Sequence, residues 1–200
     1  MYIQSPLQLI WMFQVFCIIG WVWETIYEST KNKKLLNRGM LRGPYIPIYG
    51  FSGIIIALVC SPLRGPLFST NSLILFLGGF FGISALEYIT ATIIENKFHK
   101  RLWDYSDYPF NYKGRIGLIS AVFWGLVTIF ATDFLVPFVT DAYMSQPTDR
   151  SLIFATSCAT AMVIDLAFKV KEIMHINVKE SIANSERLEK FPRIQNFLKD

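Results

Sequence analysis

Apolar residues run almost unbroken from Leu7 to Tyr27, Ser72 to Ile94, Ile116 to Phe138 and Leu152 to Val170, and a shorter run covers Ile48 to Pro62. A stretch of about 20 residues, at about 1.5 Å rise each, spans the roughly 30 Å hydrocarbon core of a bilayer. The pattern predicts an all-α protein, a multi-pass transmembrane bundle of five spans. The segment before the second span, Pro44 to Gly50, holds two prolines that cannot supply helix-interior amide donors, so the chain is expected to enter extended or kinked. That span is short for a crossing unless its irregular entry lies at membrane depth, which is tolerated only where protein or a watery cavity covers it.

The polar segments between the runs alternate in charge. Lys31, Lys33, Lys34, Arg38 and Arg42 fill the first, Arg64 alone marks the second, and Lys97, Lys100, Arg101, Lys113 and Arg115 fill the third. Arg150 stands in the fourth, and basic residues return after Phe168. Basic residues collect in cytoplasmic loops, so the N-terminus is expected outside and the C-terminus inside. Residues 1–170 then form the bundle, with inner loops at 29–47 and 96–115, and 171–200 a cytoplasmic tail. In the tail, Leu188, Phe191, Ile194, Phe197 and Leu198 recur at near-helical spacing around Pro192, which predicts a short amphipathic helix on the inner leaflet. Met1 to Pro6 has no basic residue, so the first run reads as a retained helix and not a cleaved signal.

Within the spans, Gly78 and Gly82 have the spacing that lets helices approach closely, which places the third helix at the bundle centre; Ala155, Ser157, Ala159 and Ala161 suit the fifth to close packing.

Composition agrees with a membrane class: 52% of the 200 residues are hydrophobic and 17% charged, with a mean hydropathy of +0.37, richer in apolar and poorer in charged residues than a soluble domain of this size. The net charge of +4 follows membrane topology, so nucleic acid is not an expected partner. Cys17, Cys60 and Cys158 lie in apolar runs without a C-x-x-C pair, so neither disulfide nor metal is indicated. The chain lacks a phosphate-binding G-x-x-x-x-G-K-[ST], an H-E-x-x-H and a G-x-S-x-G, and His99 and His175 stand singly in polar segments. No cofactor, no metal and no catalytic residue is assigned.

Chemistry concentrates in Arg101 to Gly117, whose Trp103, Asp104, Tyr105, Asn111 and Arg115 exceed what a connecting loop requires. Pro109, Gly114 and Gly117 permit a tight turn that brings Asn111 and Arg115 back to Asp104. Carboxylates inside spans are costly, on the order of 2.5 to 3.5 kcal/mol at a helix centre. Asp133 and Asp165 are near enough to helix ends to snorkel. Glu24 and Glu87 are deeper, beside Trp23 and Tyr88, and Arg38, Arg42 and Arg115 are the cations expected to meet them. With Tyr49, these residues define an expected ligand-binding set: Glu24, Arg38, Arg42, Tyr49, Glu87, Tyr88, Trp103, Asp104, Tyr105, Asn111 and Arg115. Three functions fit. One is a transport component with an inward-facing site for a small polar or amphipathic solute. The others are a membrane enzyme acting on a lipid or isoprenoid headgroup through Glu87 and Asp104, and a scaffold or regulatory subunit.

Five motifs occur in order: W-x-W-E at Trp21 to Glu24, NRGMLRGPYIPIYG at Asn37 to Gly50, LEY at Leu86 to Tyr88, WDYS at Trp103 to Ser106, and N-x-x-G-R-I at Asn111 to Ile116. Over roughly residues 10 to 140 the chain resembles the bacterial membrane proteins labelled ABC transporter permeases of the CmpB or type IV family. The resemblance implies a plasma-membrane protein whose ATP-binding subunit is a separate polypeptide. It also implies a homo-oligomer or a second membrane subunit, because five spans are few for a complete pathway.

Overall fold

The computed structural model describes residues 5–63 and 70–190, with side chains described to residue 173. Arg64, His175 and all the positions named for the tail helix lie outside the described side chains. Among the described residues, four helices are long and apolar enough to cross a membrane: α1 (Pro6–Asn32), α3 (Asn71–Phe98), α4 (Leu118–Met144) and the first part of α5, Thr148–Ile173. A shorter apolar helix, α2, covers Pro47–Leu63. Among the described residues the only strands are a hairpin, β1 (Asn111–Tyr112) and β2 (Ile116–Gly117), in antiparallel register.

Local sequence sets the ends. Ser5 caps α1 by accepting from the Gln8 amide at 3.1 Å, with Pro6 at the first position, where a missing N–H costs nothing. Lys33 and His99 end α1 and α3 in the left-handed conformation. Helix α5 continues without interruption to Lys190.

The segment before α2 is irregular, as its prolines require, with Ile46 extended and Pro47 opening the helix. It also runs deep. The Ile46 amide donates to the Cys17 carbonyl, 3.1 Å away and almost halfway along α1. Leu41 and Tyr45 are buried against Cys17, Phe13 and Met162. The 29–47 segment therefore folds back between α1 and α5, where protein covers its backbone.

Three helices carry a wide π turn: α2 at Ile56–Cys60, α3 at Gly79–Ile83 and α4 at Ala131–Leu135. These turns alter the packing expected from spacing. Gly78 and Gly82 face open space, whereas a Cβ on Gly79 would overlap the Thr128 side chain, and one on Gly125 would approach Phe76 at 2.6 Å. The extra residue of the π turn rotates the glycine face that meets α4. The centre accordingly belongs to α4, with 39% of its spanning window buried against 28% for α3. On α5, Ala155 is buried, but Ser157 and Ala161 are exposed and Ala159 only half-buried, because α5 packs along one face against α1. Helices α1 and α2 meet through glycines: a Cβ on Gly20 would overlap the Tyr49 ring, and one on Gly53 the Phe16 ring.

Candidate functional site

The close α1–α2 contact delivers Tyr49 to Glu24, and its phenol donates to Glu24 Oε1 at 2.7 Å. Arg38 Nε lies 3.6 Å from the other oxygen of Glu24, and a second nitrogen lies 3.8 Å from Glu28. The Tyr49 ring packs on Trp124, with centroids 5.5 Å apart.

Beside this pair sits Glu87, 4% exposed. Its Oε1 accepts from the Tyr105 phenol at 2.9 Å and its Oε2 from the Ser120 hydroxyl at 3.2 Å, while Trp124 lies against the same carboxylate. Ser120 is also 3.0 Å from the Gly117 carbonyl, so its one hydroxyl hydrogen serves only one of the two acceptors at a time. Glu24 is near enough for its charge to act on both Glu87 and Tyr105. Burial and the Glu87 charge push the Tyr105 phenol well above its ordinary range, so it stays a donor. Two carboxylates, two phenols, an indole and a hydroxyl thus converge between α1, α2, α3 and α4.

The loop from Arg101 to Gly117 is folded on itself. Asp104 Oδ1 accepts from the Ser106 hydroxyl at 2.6 Å and its amide at 2.9 Å, and Arg101 holds Oδ2 at 2.8 Å. The Ser106 bonds, then Arg101, hold the Asp104 carboxyl down at about 2. Asn111 donates to the Ser106 and Tyr108 carbonyls and accepts from the Gly114 amide, closing the turn. Gly114 has φ of +68°, and a Cβ there would stand 2.6 Å from Asp104 Oδ1. Trp103 donates to the Arg115 carbonyl at 2.9 Å.

Arg115 does not turn to Asp104 or Glu87. It bridges to Glu95 at 2.6 and 2.8 Å, reaches the Tyr88 hydroxyl at 3.3 Å and lies over the Tyr88 ring. Arg101 takes the other oxygen of Glu95 at 2.8 Å. Glu95, at the inner end of α3, is close to both guanidiniums and captures them before the more deeply placed Glu87 can. Each arginine is more basic than usual, mainly through Glu95 for Arg115 and Asp104 for Arg101.

Arg42 is also elsewhere. Its amide and that of Gly43 donate to Asp165 Oδ2 at 2.7 and 2.9 Å, the Tyr45 phenol donates to the same oxygen at 3.1 Å, and its guanidinium meets Glu172 at 3.2 Å. Asp165 therefore does not snorkel: it fastens the first inner loop to α5. Of the expected set, Glu24, Arg38, Tyr49, Glu87 and Tyr105 come together. Tyr88, Trp103, Asp104, Asn111 and Arg115 build the neighbouring loop, and Arg42 joins the α5 contact. Ser120, Trp124 and Glu95 were not singled out from sequence. Ser120 and Trp124 look there like ordinary positions in an apolar run.

Within the cluster Glu87 is buried, whereas the Glu24 and Arg38 side chains are 30% and 39% exposed. A surface hollow of about 510 Å³ is lined by Trp23, Ile26, Tyr27, Thr30 and Lys31 of α1. No group of three or more His, Cys, Asp or Glu residues suited to a metal occurs among the described residues.

Four long apolar helices and a polar cluster held between them define a membrane protein of helical-bundle type. The chain belongs to the family described as "Putative ABC-transporter type IV", whose sequence profile matches residues 11–170. The match extends beyond the motif-bearing region, through most of the spanning part of α5, to residue 170. No curated protein matches the chain, and no solved structure does.

Proposed function

We propose that the chain is the membrane component of a transport system, working with a separate ATP-binding subunit, and that its inner polar cluster binds a cationic organic solute. The observation that carries this reading is the buried Glu87, held only by neutral donors among the described residues and adjacent to Glu24, whose one basic partner is Arg38. With Glu24 paired to Arg38, ionisation of Glu87 makes the cluster negative, and Tyr49, Tyr105 and Trp124 supply aromatic faces that attract an organic cation. The loop from Arg101 to Gly117 is the closing element, since Tyr105 hooks it to Glu87.

Five crossings with the N-terminus outside fit this arrangement. The folded-back segment through Ile46 covers the inner part of the second crossing, and α2, about 25 Å long, covers the rest. The basic loops and Glu172 then share the cytoplasmic end of a bacterial plasma membrane. The enzyme alternative draws less support, because the Asp104 side chain is 48% exposed and already engaged by Ser106 and Arg101.

The test is binding of tetraethylammonium to purified protein in detergent. Binding that disappears in Glu87→Gln, with the thermal unfolding profile retained, is the expected result; equal binding by the variant would refute the site. Affinity capture followed by mass spectrometry is expected to recover a polypeptide with a phosphate-binding loop.

A further inference from the structure

Beyond Glu87 the buried polar side chains include Gln8 and Gln14 of α1 and a set of hydroxyls on α2, α3 and α4. Ser84, Ser52, Ser61 and Thr132 are each 5% exposed or less, and none of their hydroxyls has a protein partner among the described residues. A helical Ser or Thr normally donates to the carbonyl one turn back, as Thr128 does to Trp124 at 2.8 Å. Thr132 lies in the π turn of α4, and Ser61 and Ser84 directly follow the π turns of α2 and α3, where that register is displaced. A buried hydroxyl without a partner costs about 1 to 3 kcal/mol, so four together call for an explanation.

Their depths match. Ser84 is one turn outward from Glu87 on α3. Tyr49 packs against Trp124, and Ser52 and Thr128 lie one turn further out on α2 and α4. Gly79 of α3 abuts Thr128. Beyond that level the π turns of α2 and α4 touch one another, bringing the turn that Ser61 follows beside the turn that holds Thr132. Along the bundle axis the levels of successive hydroxyls thus differ by about one helical turn, about 5.4 Å. A single water bonded to two hydroxyls at about 2.8 Å each covers that step.

We propose that Ser84, Ser52, Thr132 and Ser61 line a narrow hydrated path that carries protons between Glu87 and the outer face of the bundle. A proton arriving through the water file is taken up by the Glu87 carboxylate and released toward Glu24 and the inner loop, so that one proton enters for each that leaves and only O–H bonds are exchanged. The groups facing Glu87 are Tyr105, Ser120 and Trp124, with Glu24 and Tyr49 alongside. The path goes beyond the solute-binding reading and needs no ATP-binding subunit, so solute binding can persist where proton flux is absent.

The test uses the full chain in vesicles loaded with a pH-sensitive dye, with a potassium diffusion potential as the driving force. Proton flux severalfold above protein-free vesicles is expected. Glu87→Gln should remove it. Thr132→Val should reduce it severalfold with unchanged helicity and melting temperature, because the change deletes an unpartnered hydroxyl. The double variant Ser52→Ala/Ser61→Ala is the second probe should Thr132→Val fail to fold. In the unaltered protein, radiolytic hydroxyl-radical labelling is expected to modify Cys60, next to the file, despite its burial. Wild-type flux equal to that of empty vesicles overturns the proposal. So does flux undiminished in folded hydroxyl variants, or Cys60 left unlabelled.

Discussion

Glu87 is the residue whose neighbours most constrain what it can do. Removing its carboxylate leaves Tyr105 without its acceptor and the buried Ser120 with only Gly117. Glu87→Ala is expected to cost about 1 to 3 kcal/mol in detergent-solubilised unfolding, and Glu87→Gln, which keeps an oxygen acceptor, clearly less. Asp104 behaves differently. Its carboxyl sits at about 2, below its ordinary 3.8, so it favours the folded loop at all pH values above the ordinary carboxylate range; that contribution fades as pH falls toward 2. Trp103 fluorescence should therefore stay flat from about pH 5 to 8 and change only below about pH 4. A transition near neutrality would show that the loop answers to another group. From sequence, the concentration of polar groups at 101–117 was legible, but their partners were not. Asp104 and Arg115 looked like a pair, yet Arg101 is three residues from Asp104, and Glu95 lies within reach of both arginines.

Helices show the same division. The apolar runs locate every described helix, because hydrocarbon imposes length and composition directly. Contacts between helices depend on rotation about the axis, and a π turn changes that rotation without leaving a mark in the apolar pattern. Gly79 and Gly78 make the difference measurable. Gly79→Ala should destabilise by about 1 to 3 kcal/mol, because its Cβ would overlap the Thr128 side chain and press on the Trp124 carbonyl. Gly78→Ala, facing open space, should be neutral or stabilising by up to about 1 kcal/mol through helix propensity. Thermal unfolding of the two variants side by side decides the matter, and equal effects would mean the π turn is not where the structure has it.

Across the whole molecule, the first inner loop and α5 are joined through one oxygen of Asp165, more than 120 residues away in sequence from the amides it accepts. Asp165→Ala should free the Arg38 to Gly43 segment and raise its tryptic cleavage rate on the order of tenfold, as expected for losing about 1.4 kcal/mol of local stability. Cleavage unchanged from the parent protein would mean that packing of Leu41 and Tyr45 alone holds the loop. Sequence places Asp165 near a helix end, where a lone carboxylate needs no partner. Only the folding back of the proline-containing segment, which brings two backbone amides to that depth, gives it one.

Helix α5 is 43 residues long, about 64 Å, and about 25 Å of it lies past Ile173. Contacts tie that rod to the site: Asp165 on α5 holds the amides of Arg42 and Gly43, the strap they belong to ends at Pro47, and Tyr49, two residues on, holds Glu24.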